Sequence, residues 1–185
     1  MRVRSCWEPP SRGFAAKHAG PANAGDALRY HKKVTVHPAF RARLARFEAV
    51  AKEVALEVYG RAPKAIRHMG TYNCRRIRSM PHLMSEHALG NAIDVAGFDF
   101  GPLPEGVAPP DGLSKRHRRG FKVRMKAHWD ATGKDARHSR FLHTLAKRLT
   151  KADIFRVLLG PAWPGHDDHF HFDMAPYELV KIFKD

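Results

Sequence analysis

The spacing of the apolar residues changes along the chain, and this change most constrains the fold. From Pro38 to Gly60 the apolar side chains recur every three or four residues, which predicts a helix with one face toward the core. From His169 to Met174 polar and apolar residues alternate, which predicts a half-buried strand. Strands and helices follow one another without a regular βαβ rhythm. We therefore expect an α+β fold, with a small, largely antiparallel sheet and flanking helices.

Shorter segments complete this prediction. We expect strands over residues 64–72, 92–98, 121–129 and 154–159, a helix over 141–149, and a short C-terminal helix that opens at Pro176. Residues 73–86 are predicted to be a loop, and the Pro/Gly-rich residues 101–112 a turn region. The basic run 115–119 is typical of a solvated loop.

Length and charge limit the domain organisation and the partners. The chain of 185 residues is long enough for one domain with its own core. We expect an irregular basic arm over residues 1–30 and a single domain over residues 31–185. No apolar run approaches the ~18–20 residues of a membrane span. The net charge of +15 favours a polyanion, which can be nucleic acid, an anionic membrane surface or an anionic cell-wall polymer.

The cysteines and the N-terminus leave the cellular compartment open. Cys6 and Cys74 can form one disulfide or remain two free thiols, and neither belongs to the CxxC pair of a thiolate zinc site. The first ten residues contain no apolar segment typical of a secretory signal. The protein is then cytosolic, exported by another route, or made with a leader that this sequence lacks.

The segment over residues 160–173 is rich in histidine. Because alternate side chains of a strand share a face, His169 and His171 are predicted to project together, with Phe170 and Phe172 buried on the opposite face. His166 lies in a turn bracketed by Gly and Pro and can fold over the same face. Two imidazoles on a rigid strand suit a metal ion or acid–base chemistry. An HxH pair taken alone, however, is more often plain surface.

The segment over residues 85–94 adds a further imidazole and a carboxylate. His87 precedes a glycine that permits a tight bend, and Asp94 lies on the strand that follows. Ile93 and Val95 flank Asp94, so its carboxylate needs a partner to offset the cost of burial. A metal ion and an arginine are the two candidates for that partner.

These segments resemble known zinc enzymes. SEHALGNAID, residues 85–94, is similar to the S-x-H-x-x-G-x-A-x-D signature of the zinc D-Ala-D-Ala peptidases, whose superfamily includes lysostaphin-like enzymes and hedgehog signalling domains. GHDDHFHFD, residues 165–173, resembles the H-x-x-H-x-H ending of the murein endopeptidases. Together with Tyr72–Arg75 they resemble the bacterial extensin-like C-terminal family over residues 72–175. The resemblance implies a hedgehog/DD-peptidase-like fold and a zinc-peptidase-like catalytic domain over residues 31–185.

The resemblance also implies a role for individual residues. One zinc ion per chain is held by His87, Asp94 and His171, with water in the fourth position. His169 is then the general base that deprotonates this water. His166 orients the water or stabilises the oxyanion, and Arg75 binds a substrate carboxylate or the developing negative charge.

Three further side chains are expected to support this set. Ser85 is expected to form a hydrogen bond within its own loop. Asp167 and Asp168 are expected to fix histidine tautomers, although both can equally be solvated turn residues.

The predicted function is that of a metallopeptidase. The expected reaction is attack of zinc-bound water on an amide bond in peptidoglycan stem or cross-link peptides, and the resemblance implies a periplasmic or cell-wall location. One alternative is a non-catalytic metal-binding module of the same fold. Another is a basic nucleic-acid binder or nuclease, which the scattered basic residues and the lack of a reader motif disfavour. We therefore expect peptidoglycan peptides as partners, no specific nucleic acid and no membrane span.

Overall fold

A computed structural model describes residues 6–8, 28–78 and 80–184 of the chain. Its helices are α1 (Pro38–Tyr59), α2 (Lys115–Arg118), α3 (Met125–His128) and α4 (Ala136–Ala152), with short 3-10 helices at Glu86–Leu89 and Gly133–Asp135. Its strands are β1 (Ala65–Gly70), β2 (Arg76–Ile77), β3 (Met80–Met84), β4 (Ala92–Phe100), β5 (Phe121–Arg124), β6 (Val157–Leu159), β7 (Phe170–Asp173) and β8 (Leu179–Lys181).

The main sheet has six strands, and β4 is central to it. The strand order is β1-β4-β7-β6-β8, and β5 also pairs with β4 beyond the end of its pairing with β7. Every neighbouring pair is antiparallel except β6 and β8. β2 and β3 form a separate hairpin. The predicted α+β fold with a small, largely antiparallel sheet and flanking helices is confirmed.

The two long helices cover one face of the main sheet. α1 begins at Pro38, where the ring fixes a helical φ, and it ends at Gly60 in the left-handed conformation, as the sequence predicts. Phe47 of α1 packs on Phe172 of β7 with ring centroids 5.6 Å apart. Phe98 of β4 meets Phe141 of α4 at 5.2 Å. Because strand side chains alternate, the polar residues of β7 face away from the helices.

The described part of the N-terminal arm is attached to the body of the protein. Cys6 and Cys74 form a disulfide, and Trp7 donates a backbone hydrogen bond to the carbonyl of Ala88 at 2.9 Å. Leu28 is buried in the core, and Tyr30 forms a β-bridge with Ile66. The rest of the predicted arm lies outside the described residues.

Two of the predicted loops contain regular structure. Residues 73–86, predicted to be a loop, contain the hairpin β2–β3, whose exposed side chains leave no hydrophobic alternation to detect. The basic run 115–119 was expected to be a solvated loop, but α2 begins there and buries His117. The guanidinium of Arg61 holds this turn by donating to the carbonyls of His117 and Arg119 at 2.5 and 3.0 Å.

Two other predicted elements are wrong because longer-range contacts override the local pattern. The strand predicted over 121–129 stops at Arg124, and a helical turn follows because Met125 and Trp129, four residues apart, are both buried. The C-terminal helix predicted from Pro176 is absent from the described residues, where β8 pairs with β6 instead. A helix of one or two turns has little stability of its own, so the edge of the sheet prevails. Within the described residues, no helix is both long and apolar enough to cross a membrane.

Candidate metal centre

Strand pairing brings Asp94 and His171 together. Asp94 of β4 lies directly opposite His171 of β7, with Gly70 of β1 on the other side of Asp94. A Cβ at Gly70 would lie 3.6 Å from Oδ2 of Asp94, which is an ordinary van der Waals contact. Asp94 and His171 project from the sheet face that the long helices leave uncovered, because Phe172 of β7 faces the helices.

His87 reaches the same point from the 3-10 helix before β4. The Oγ of Ser85 caps this helix by accepting a hydrogen bond from the backbone N–H of His87 at 3.3 Å. Gly90 ends it in the left-handed conformation, which turns the chain into β4. Nε2 of His87 lies 3.2 Å from Oδ2 of Asp94, and Nδ1 of His171 lies 2.9 Å from Oδ1. The three ligand atoms all lie within 4.8 Å of one another.

The second nitrogen of each imidazole has a hydrogen-bond partner. Nδ1 of His87 donates to the carbonyl of Thr71 at 2.6 Å, and Nε2 of His171 donates to Oδ2 of Asp173 at 2.7 Å. These bonds leave Nε2 of His87 and Nδ1 of His171 facing Asp94, where each donates a hydrogen bond when it carries a proton and offers a lone pair when it does not. Sequence reasoning missed the roles of Thr71 and Asp173. The role of Asp173 could have been predicted, because residues two apart on a strand, such as His171 and Asp173, share a face.

The electrostatics of the cluster favour an ionised Asp94 beside positive charge. Burial disfavours the charged form of Asp94, but hydrogen bonds from His171 and His87 outweigh it and hold the pKa of Asp94 well below its ordinary value. Burial acts against the charged form of His171, yet hydrogen bonds to Asp173 and Asp94 raise the pKa of its imidazole to about 9. The carboxylates of Asp94 and Asp173 therefore flank an imidazole of His171 that favours its protonated form, and a metal ion at this position would have to displace that proton.

His169 stands beside this cluster with one nitrogen oriented by a carboxylate. Its Nδ1 lies 2.7 Å from Oδ1 of Asp168, and its Nε2 lies 3.7 Å from Oδ1 of Asp94. The ring of His166 lies 4.7 Å from that of His169, and its Nδ1 is hydrogen-bonded to the carbonyl of Pro164 at 3.1 Å. The exposed Asp167 makes no hydrogen bond to a described residue. The structure thus groups His166, Asp168 and His169 with the Asp94 cluster and leaves Asp167 outside it.

The cluster lies in a cleft of about 1280 Å³ between the β2–β3 hairpin and the segments around Trp163 and Tyr177. Arg75 lines this cleft, and its exposed guanidinium has no hydrogen-bond partner among the described residues. Its neighbour Arg76 instead donates to the carbonyl of Pro81 at 3.1 Å, which holds the hairpin together. Of these two arginines, Arg75 is the one available to a ligand in the cleft.

Part of the chain is similar to a known family. Residues 14–102 match the family model of the extensin-like protein C-terminus. The extensin-like match covers just under half of the 185 residues, begins earlier than the resemblance over residues 72–175, and ends before its second motif. It includes Arg75, His87 and Asp94 but not His169 or His171. No curated protein and no solved structure gives a significant match to the chain.

Proposed function

We propose that this protein is a zinc-dependent peptidase of the D-Ala-D-Ala peptidase and murein endopeptidase type, which hydrolyses amide bonds in peptidoglycan stem or cross-link peptides. The observation that carries the proposal is the convergence of His87, Asp94 and His171, two imidazoles and a carboxylate from separate parts of the chain. In a cleft open to solvent, such a set is typical of catalytic zinc sites, which keep one position for water or substrate.

The donor set fits zinc in its chemistry and its orientation. The hydrogen bonds to Thr71 and Asp173 leave Nε2 of His87 and Nδ1 of His171 as the ligand atoms. A carboxylate that fixes the far nitrogen of a histidine is the usual outer partner of such a ligand. When bound, zinc would lower the pKa of a water molecule and polarise a substrate carbonyl.

The other residues of the cleft supply acid–base and binding functions. His169 is the general base, because Asp168 holds its Nδ1 and leaves Nε2 facing the cluster. His166, beside His169, orients the water or donates to the oxyanion. Arg75 binds a carboxylate of the stem peptide. The net charge of +15 would raise the local concentration of an anionic wall substrate. A peptidoglycan substrate implies that the enzyme works in the periplasm or at the cell wall.

The test pairs metal content with turnover. We expect the wild-type protein to cleave purified peptidoglycan fragments, with products identified by mass spectrometry, and to lose this activity with a chelator and regain it with zinc. His169→Gln should lower turnover by about 10²–10⁴-fold and keep the zinc content unchanged, because His169 is not a ligand. His31→Gln, which changes an exposed histidine outside the cleft, is the matched control.

Two outcomes contradict the proposal. If wild-type protein with bound zinc cleaves none of the wall fragments, the chain is a non-catalytic metal-binding module. If His87→Ala and Asp94→Ala retain full zinc affinity at this site, the cluster is not the metal centre.

A further inference from the structure

We propose that the chain binds a second divalent metal ion, at a cluster of His128, Asp135 and His138 that lies in the helical layer away from the cleft. His128 is the last residue of α3, Asp135 precedes α4, and His138 lies in the first turn of α4. One ligand atom from each lies within 4.8 Å of those of the other two. The extensin-like match ends before all three residues.

The geometry is close to that of a bound ion. Nε2 of His138 lies 3.9 Å from Oδ1 of Asp135, and the rings of His128 and His138 have centroids 4.7 Å apart. Ligands at about 2.1 Å from one ion lie at most about 4.2 Å apart, so small side-chain rotations bring these three together. The i,i+3 spacing of Asp135 and His138 at the start of α4 places both on one side of the helix.

His138 is already oriented as a ligand. Its Nδ1 lies 2.8 Å from the hydroxyl of Tyr59, which itself donates to the carbonyl of Arg137 at 3.3 Å. The hydroxyl therefore accepts the Nδ1–H of His138, and the lone pair of the ring is on Nε2, which faces Asp135. His138 is also buried, so this orientation is fixed by packing.

The other two ligands have neighbours that can adapt to a bound ion. The backbone N–H of Arg124 donates to Nδ1 of His128 at 2.9 Å, and the carbonyl oxygen of Arg124 lies 3.2 Å from the same nitrogen. Binding of a metal by Nε2 would move the ring proton to Nδ1, which would then donate to this carbonyl in place of accepting from the amide. Arg116 pairs with Oδ1 of Asp135, the same oxygen that lies 3.9 Å from Nε2 of His138, and the described residues make no hydrogen bond to Oδ2. A bound ion would therefore take Oδ2 after a small rotation of the carboxylate.

A third histidine gives an independent reason for a ligand here. His117 is buried, and its ring lies 4.7 Å from that of His138. Ser114 Oγ binds its Nδ1 at 3.1 Å, but its Nε2 is buried without a hydrogen-bond partner among the described residues. A buried polar atom of this kind requires a partner. An ion or its bound water would supply one and would join α2, α3 and α4.

Three imidazoles and one carboxylate suit zinc or another first-row divalent ion that prefers nitrogen ligands. The ligands come from short helices and the first turn of α4, which lie outside the cleft. The expected role of the ion is therefore structural.

The experiment removes the first cluster so that binding reports on the second. In the full chain carrying His87→Asn and Asp94→Asn, we expect calorimetric titration with Zn²⁺ to show one equivalent bound. We also expect Co²⁺ to give a visible absorption band of a site with nitrogen ligands. His128→Asn and Asp135→Asn, both outside the buried core, should each weaken Zn²⁺ binding by more than about 100-fold, the upper range for loss of a mere outer partner.

His143→Asn, which changes another histidine of α4, should leave the affinity unchanged and controls for loss of an imidazole. The proposal is overturned if the chain without the first cluster binds no equivalent of Zn²⁺. It is also overturned if His128→Asn and Asp135→Asn bind as tightly as their parent. Because neither readout involves peptide cleavage, these results are independent of the proposed peptidase activity.

Discussion

Asp94 and His171 lie directly opposite each other on β4 and β7, with 2.9 Å between Oδ1 and Nδ1. The residues are 77 positions apart in the chain, so the register of one strand pair sets their contact. A slip of one residue in that register would turn His171 toward the helices. The aromatic packing of Phe172 on Phe47 opposes such a slip, and the core thereby fixes the geometry of the cluster of His87, Asp94 and His171.

Asp173 is predicted to control metal affinity without being a ligand. Its buried carboxylate holds Nε2 of His171 at 2.7 Å and accepts a hydrogen bond from the amide of Ala175 at 2.9 Å. Asp173→Asn can place its amide against Nε2 and favour the wrong tautomer of His171. We expect a loss of about 10–100-fold in zinc affinity, measured by competition with a chromogenic chelator. Asp167→Asn, at an exposed aspartate, should bind zinc as the wild type does.

The disulfide is predicted to stabilise the segment that holds His87. It closes a loop of 68 residues and attaches Trp7 to the 3-10 helix through the carbonyl of Ala88. Cys6→Ser with Cys74→Ser should lower the free energy of unfolding by about 2–4 kcal/mol, measured by urea titration. Reduction of the wild type with dithiothreitol should give the same loss and leave the double variant unaffected. Equal stability of wild type and variant would contradict this prediction.

Gly90 is predicted to be essential for the close packing of Trp7. Its φ is +69°, and an added Cβ would lie 2.8 Å from both the amide nitrogen of His37 and the ring of Trp7. Gly90→Ala combines left-handed strain of about 1–2 kcal/mol with overpacking of about 1–3 kcal/mol. Gly106 also has a left-handed φ, +76°, but open space around it, so Gly106→Ala measures the backbone strain without overpacking. Urea titration should therefore show a clearly larger loss for Gly90→Ala than for Gly106→Ala.

His68 is predicted to make stability depend on pH. Burial, together with the nearby Lys32 and His31, lowers the pKa of His68 below the ordinary histidine value of about 6.5, although a hydrogen bond to the carbonyl of Lys32 opposes the shift. As the pH falls below about 6.5, the unfolded chain binds a proton at His68 that the folded chain does not, so the free energy of unfolding falls. Between about pH 7.5 and pH 5.5, His68→Gln should lose less stability than the wild type in urea titrations with a chelator present. An equal loss in both proteins would contradict the assignment to His68.

Local sequence patterns were sufficient to predict the helices and strands whose apolar residues are regularly spaced. Helix α1 has an apolar stripe, a proline at its start and a glycine at its end, and it was predicted from Pro38 to Gly60. The alternation around β7 predicted which face carries His171 and which carries Phe172. Both depend on periods of two or 3.6 residues, which are properties of the backbone itself.

Elements without a regular apolar pattern could not be predicted from the sequence, because they form through contacts with distant parts of the chain. The hairpin β2–β3 is stabilised by pairing rather than burial, and β8 exists because the edge of β6 is available to it. The cluster of His128, Asp135 and His138 was missed for the same reason, since α3 replaces half of a predicted strand.

The sequence by itself determined the chemistry available to this protein: which imidazoles and carboxylates it has, and that His87, Asp94 and His171 are candidate ligands. The tertiary structure alone decided which nitrogen of each histidine faces Asp94, that Thr71 and Asp173 hold the other nitrogens, and that Trp7 packs beneath the segment carrying His87. The physical reason is that these relationships depend on strand register, a disulfide and aromatic packing between distant residues. Such contacts leave no trace in local periodicity.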